Sequence, residues 1–140
     1  MEWEFRIENN NMDEESKKIQ KFTDLIVWQE GHKLVLMIYQ ETKNFPNSEL
    51  YGLTNQIRRA AVSFTSNIAE GFSRKSSKEK CQFYNTAKGS MTELQNQLLI
   101  ARDIGYISEE IFDKIAQQSV KANRLMTGLL KATRLKKYES

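Results

Sequence analysis

Very few side chains in this sequence could carry catalysis. His32 is the only histidine and Cys81 the only cysteine. A Ser-His-Asp or Cys-His arrangement would have to use His32 as its base, and no nucleophile-elbow or comparable motif accompanies it. A di-iron bundle needs Glu-x-x-His on two helices, which a single histidine cannot supply. One Cys and one His without motif spacing do not make a common zinc site, and no glycine-rich phosphate loop is present. The expectation is a chain that is not an enzyme and holds neither metal nor cofactor. His32 reads as a helix core or contact residue, and Cys81 as a small, semi-buried thiol.

The charged side chains are more informative. The net charge of +3 combines a net −3 over residues 1–20 with +6 over the rest. A mildly basic body suits a nucleic-acid partner. Arg58 and Arg59 sit together, and Glu70 and Glu93 are candidate buried carboxylates. One arginine is expected to pair with an acid across the fold as a structural ion pair. Consecutive helix positions are 100° apart, so the other arginine is expected to be free.

These residues need scaffolding, and the spacing of apolar residues says what kind. One proline and six glycines in 140 residues favour long helices over many short strands. Leu50, Leu53, Ile57, Ala60, Phe64 and Ile68 recur at alternating intervals of three and four, one seam along a helix. Gly71 follows, where a left-handed cap is expected. A first helix is expected from about Thr23 to Lys43, with Leu25, Trp28, His32, Val35, Tyr39 and Thr42 on one face. Ile26, Val27, Leu34, Met37 and Ile38 form much of a second face, a surplus that suggests contact with another subunit. Pro46 separates this helix from the next, with Asn47 or Ser48 as cap. Ser76 and Glu79 have capping-box spacing before a third helix, expected from about Ser77 to Asp103, whose seam is Phe83, Ala87, Met91, Leu94, Leu98 and Ala101. Gly89-Ser90 within it reads as a close helix contact. Gly105 ends the segment and Ser108 caps a fourth helix, with Ile111, Ile115, Ala122, Leu125, Leu129 and Thr133 as its seam. Four such helices with short connections predict an all-α, antiparallel up-down-up-down four-helix bundle over residues 21–140. Residues 1–20 are expected to form a flexible polar tail.

The run from Phe22 to Ala132 resembles the proteins encoded in intervening sequences of bacterial 23S rRNA genes, the S23 family of four-helix bundles. The resemblance is carried by FTDLIVWQEGHKL, FPNSELYGLTNQIRRAAVSFTSNIAEGFSR, AKGSMTEL and ARDIGYI. It extends less closely to the accessory variability protein of diversity-generating retroelements. It implies a homo-oligomer, a pentameric ring, that engages structured RNA or DNA, with RNA favoured. The alternative it leaves open is a protein-interaction scaffold, an accessory subunit of a nucleic-acid enzyme such as a reverse transcriptase.

In the predicted topology the start of helix one, the 2–3 connection and the end of helix four share one end. Arg74, Lys75, Lys78, Lys80, Lys131, Arg134, Lys136 and Lys137 gather there with Lys17, Lys18 and Lys21, and that end carries +9 against −4 at the other. Bases beside free helix N–H groups suit a phosphate backbone. Leu34, Met37, Ile38 and Val62 are the expected oligomer interface. No secretory signal and no run near ~20 apolar residues is visible, so a cytoplasmic protein without a membrane partner is expected.

Overall fold

The computed structural model describes residues 18–139, with side chains through Lys136. The expected tail lies mostly outside the described residues, as do Lys17 and the side chain of Lys137. Among the described residues four α-helices make up the fold: α1 (Ile26–Thr42), α2 (Leu53–Ser73), α3 (Ser77–Asp103) and α4 (Glu109–Glu139). They run up-down-up-down, with α1 on α2, α2 on α3, α3 on α4, and α4 closing back onto α1.

Local chemistry sets most of the boundaries. Before α1, Phe22–Asp24 make a 3-10 turn, and the Asp24 carboxylate accepts the backbone N–H groups of Gln20 and Lys21, each at 3.0 Å. Gln29 reaches back to the Thr23 carbonyl at 2.9 Å. Before α2, Asn47–Glu49 also make a 3-10 turn. The helix therefore starts at Leu53, later than a cap at Asn47 or Ser48 would give, and Glu49 supplies the acceptor: Leu53 N–H donates to Oε1 at 3.2 Å. The other oxygen of Glu49 takes the Tyr106 hydroxyl at 2.7 Å, tying this turn to the α3–α4 connection. Ser76 caps α3 by accepting the Glu79 N–H at 3.1 Å, and Ser108 caps α4 by accepting the Ile111 N–H at 3.1 Å. At the end of α3, Gly105 has φ +84°. The Tyr106 N–H bonds the Ala101 carbonyl at 2.9 Å and the Gly105 N–H bonds the Arg102 carbonyl at 3.0 Å, a Schellman closure.

Three sequence expectations change. Gly71 is not a left-handed cap. It is buried inside α2, where a Cβ would lie 2.6 Å from the Tyr84 ring; the glycine is there so that α3 can approach. Gly89 is exposed with nothing near its Cβ position, and it is Ser90 that meets α2, hydroxyl to hydroxyl with Ser63 at 2.7 Å. On α1 the stripe facing the bundle is Val27, Gly31, Leu34, Ile38 and Thr42, all buried, while Tyr39 is exposed and His32 and Val35 are half-buried. Leu34 and Ile38, each 1% exposed, are therefore spent on the chain's own core and cannot serve as oligomer contacts.

The core runs along the bundle axis through Ile57, Ala60, Ala61, Phe64 and Ile68 of α2, Tyr84, Ala87, Met91, Leu94 and Leu98 of α3, and Ile115, Ala122, Met126 and Leu130 of α4. On α4 the buried register is Met126 and Leu130, with Leu125 and Leu129 half-buried beside it. Each of the four helix interfaces also carries a polar tie: Arg58–Thr42, Ser63–Ser90, Gln95–Ser119 and Gln118–Glu30. Polar pairs of this kind select one register where apolar contacts alone tolerate sliding.

Candidate nucleic-acid interface

The bundle brings the 2–3 connection and the end of α4 together, as expected, but not every base there is available. Lys80, in the first turn of α3, sends its ammonium to the Phe72 carbonyl at 2.7 Å and lies over the Phe72 ring. It caps the C-terminus of α2, whose carbonyls carry the negative end of the helix dipole. A lysine that a single-helix argument finds misplaced at the start of α3 is thus well placed beside its antiparallel neighbour. Burial, and secondarily the like charge of Lys136, lower the Lys80 pKa. Arg134 near the end of α4 reaches Asn85 on α3 at 3.5 Å, which sets the last turns of α4 beside the start of α3. Arg74 bonds Glu70 at 3.2 Å and lies over the Phe83 ring with its Cζ carbon 4.7 Å from the centroid.

Lys75 and Lys78 are exposed and have no ion-pair partner among the described residues. Lys131, Arg134 and Lys136 are exposed on the last turns of α4; Arg134 donates to Asn85 Oδ1 on α3 at 3.5 Å. Among the described residues the solvent-facing cations at this end are therefore Lys18, Lys21, Lys75, Lys78, Lys131, Arg134 and Lys136, flanking two bases, Arg74 and Lys80, that hold the connection itself.

The expected ion pairs of Arg58 or Arg59 with Glu70 or Glu93 are not formed among the described residues. Glu70 and Glu93 are exposed; Glu70 takes Arg74, and Glu93 accepts from Gln97 at 3.3 Å. Arg58 turns to α1 instead, donating to the Thr42 hydroxyl at 2.8 Å with its guanidinium 4.7 Å from the Tyr39 ring centroid. Arg59 is exposed. A hydroxyl and an aromatic face satisfy a half-buried guanidinium without burying a second charge.

The buried carboxylate is one that sequence reasoning missed. Glu30 is 7% exposed and receives Lys33 at 3.1 Å, Lys121 at 3.1 Å and Gln118 at 3.1 Å. Burial pushes its pKa up, but the hydrogen bonds from Gln118, Lys33 and Lys121 outweigh that and hold it below the ordinary carboxylate value. The one sequence signal was the Glu30/Lys33 spacing; the α4 partners of Glu30 are far away along the chain.

Among the described residues no cluster of His, Cys, Asp and Glu could hold a metal ion, and no helix is long and apolar enough to cross a membrane. His32 lies face to face with Trp28, ring centroids 4.7 Å apart. Of the expected interface residues, Met37 is half-buried and Val62 is 37% exposed. Met37 and the more exposed Leu36 line an open groove of about 410 Å³ with Ile111 and Ile115, between α1 and α4 at the end opposite the basic one.

Comparison with known proteins agrees with this architecture. The family described as 23S rRNA-intervening sequence protein matches over residues 23–128. Among solved structures, a protein with unknown function from the S23 ribosomal protein family of Bacteroides thetaiotaomicron superposes with a TM-score of 0.71 at 22% identity, covering 76% of this chain and 96% of that one. At that identity the likeness speaks for the fold. No curated protein matches.

Proposed function

The chain belongs to the 23S rRNA-intervening sequence protein family, and from that premise we propose that it is a non-enzymatic, cytoplasmic RNA-binding protein acting as a homo-oligomer. The observation that carries the reading is the crowding of bases at one end. Among the described residues Lys75 and Lys78 have no ion-pair partner, Lys131, Arg134 and Lys136 are exposed on the last turns of α4, and the Lys80 pKa is lowered by burial first and by the like charge of Lys136 second. A fold that needed these charges only for solubility would disperse them, because gathered like charges repel. Polyanion binding offsets the repulsion, since each neutralised phosphate releases counterions. The exposed Lys75 and Lys78 also flank Ser76, the cap of α3, so their charges stand at the positive end of that helix, an arrangement suited to phosphate oxygens.

Oligomer formation is supported by the apolar side chains of the α1–α4 groove, Leu36 (56% exposed), Met37 and Ile111; Lys114 lines the same groove. The ring of five is the number that family resemblance suggests.

RNA co-purified with the full chain, identified by sequencing, supplies the probe. The substitutions Lys75→Gln, Lys78→Gln and Lys136→Gln should weaken its binding across sequences and reduce the salt slope by up to ~0.9 for each duplex phosphate that is no longer neutralised. Arg74 and Lys80 are left intact because they hold the connection. Unchanged affinity and slope would remove the basic end as the site. Light scattering should give a mass several times 16.4 kDa; a monomer at micromolar concentration would remove the oligomer.

A further inference from the structure

From Lys114 to Tyr138, α4 carries seven bases (Lys114, Lys121, Arg124, Lys131, Arg134, Lys136 and Lys137) and no acid. We propose that the outer face of α4 tracks the phosphate backbone of double-helical RNA, continuing the basic end along the side of the bundle. This rests on the nucleic-acid reading above and deepens it by naming the form of the ligand and the surface that meets it.

The geometry follows from helical spacing. Positions 114, 117, 121, 124, 128, 131 and 135 alternate steps of three and four, so they share one face. All seven are exposed, and the buried positions Ile115, Ala122, Met126 and Thr133 lie on the opposite face. Four of the seven are basic. Lys121 shares its charge with Glu30, while Lys114, Arg124 and Lys131 have no ion-pair partner among the described residues. From Lys114 to Lys131 the stripe is about 25 Å long at 1.5 Å per residue. A duplex presents a phosphate charge about every 1.7 Å of its axis, so a face of that length meets several.

The helix dipole does not account for these bases. It favours cations within the last turn, yet Lys114 lies near the start of α4 and Lys121 and Arg124 near its middle. Gly128 is a separate pointer. It weakens the helix interior, and it has no packing reason, since nothing lies within 4 Å of where its Cβ would be. On the stripe, between Arg124 and Lys131, it leaves bare backbone against which a sugar-phosphate strand can come close. The form of the ligand follows from what the stripe lacks. None of its seven positions is aromatic, whereas single strands are held by stacking bases on aromatic rings. A row of cations without stacking platforms fits the backbone of a duplex, recognised by shape.

The test uses the full chain, a labelled RNA duplex of about 20 base pairs, and one of its strands alone, with anisotropy read from about 50 to about 200 mM salt. The triple variant Lys114→Gln, Arg124→Gln, Lys131→Gln should lose about tenfold or more in duplex affinity at ~100 mM salt and flatten the salt slope by about two to three. The charge-retaining triple Lys114→Arg, Arg124→Lys, Lys131→Arg should bind like the parent. Gly128→Leu changes no charge and improves helix propensity; it should bind the duplex about threefold or more weakly through bulk on the path of the strand. If the Gln triple and Gly128→Leu both bind like the parent while the basic-end variant weakens, the α4 track is overturned and the nucleic-acid reading stands. Preference for the single strand would overturn the duplex assignment. Absence of binding to either probe by the parent chain would overturn both readings.

Discussion

Four glycines lie inside the helices, and alanine substitution should split them into two pairs of opposite sign. Gly31 and Gly71 are buried at helix crossings. A Cβ on Gly71 would sit 2.6 Å from Cε1 and 2.8 Å from Cδ1 of Tyr84. That ring is 1% exposed, enclosed so well that burial pushes its hydroxyl pKa up to about 12, so it has little room to retreat. A Cβ on Gly31 would sit 2.8 Å from Cε2 of Phe64 and 3.1 Å from Cγ2 of Thr65. Overpacking of this kind costs about 2–3 kcal/mol, against about 1 kcal/mol that alanine returns in helix propensity. Each of these variants should lose about 1–2 kcal/mol net, a fall in Tm of about 4–8 °C for a domain this size. Gly89 and Gly128 have nothing within 4 Å of the same position, so only the propensity gain of about 1 kcal/mol applies, and Tm should rise by about 3–5 °C. Urea and thermal melts followed by circular dichroism at one fixed protein concentration would measure all four, because oligomer stability depends on concentration. Shifts of the same sign across the four variants would refute the close-approach account of α1–α2 and α2–α3 packing.

The Glu30 cluster predicts a pH dependence. Its folded pKa is lowered, so its contribution is present above the unfolded carboxylate value of about 4.3 and is lost as pH falls through the folded pKa. Glu30→Gln should therefore be clearly less stable than the parent at neutral pH, and the gap should close in acid; a gap constant with pH would contradict the assignment. Arg58→Ala should cost about 1–2 kcal/mol, because it removes the hydrogen bond to Thr42 and the packing on the Tyr39 ring. Arg59→Ala should stay within about 0.5 kcal/mol of the parent. Equal chemical-denaturation midpoints for the two arginine variants would refute the distinction.

How much of the molecule is legible in its sequence divides along the reach of the forces involved. Features set within a few residues of chain can be read directly. The bounds of α3, the Ser76 and Ser108 caps and the Gly105 stop depend on hydroxyls and φ angles acting on the nearest turn. The alternating seam of α2 from Leu53 to Ile68 also needs no partner, because one apolar stripe leaves only one face to bury; Leu50, expected at its start, lies outside the helix and is exposed. Where two stripes compete, periodicity alone does not choose between them. On α1, Val27, Leu34 and Ile38 won over Val35 and Tyr39 because Gly31 lies on their side and lets Phe64 come close. On α4, Leu125 and Leu129 are as apolar as Met126 and Leu130, and the positions of α3 and α1, between which α4 packs, chose between them.

The candidate site follows the same rule. That bases collect at one end was readable, because topology and residue order suffice to place them. Which of them are taken up by the fold was decided in three dimensions: Lys80 by the carbonyl end of α2, and Arg74 by the face of the Phe83 ring on α3. A carboxylate is worth burying only where donors converge on it, and the donors for Glu30 come from α4, 88 residues away for Gln118. Glu70 and Glu93 had the right chemistry without that convergence. Local sequence thus specified the helices and their ends, while the faces they bury and the charges they neutralise were settled by the approach of segments that do not adjoin along the chain.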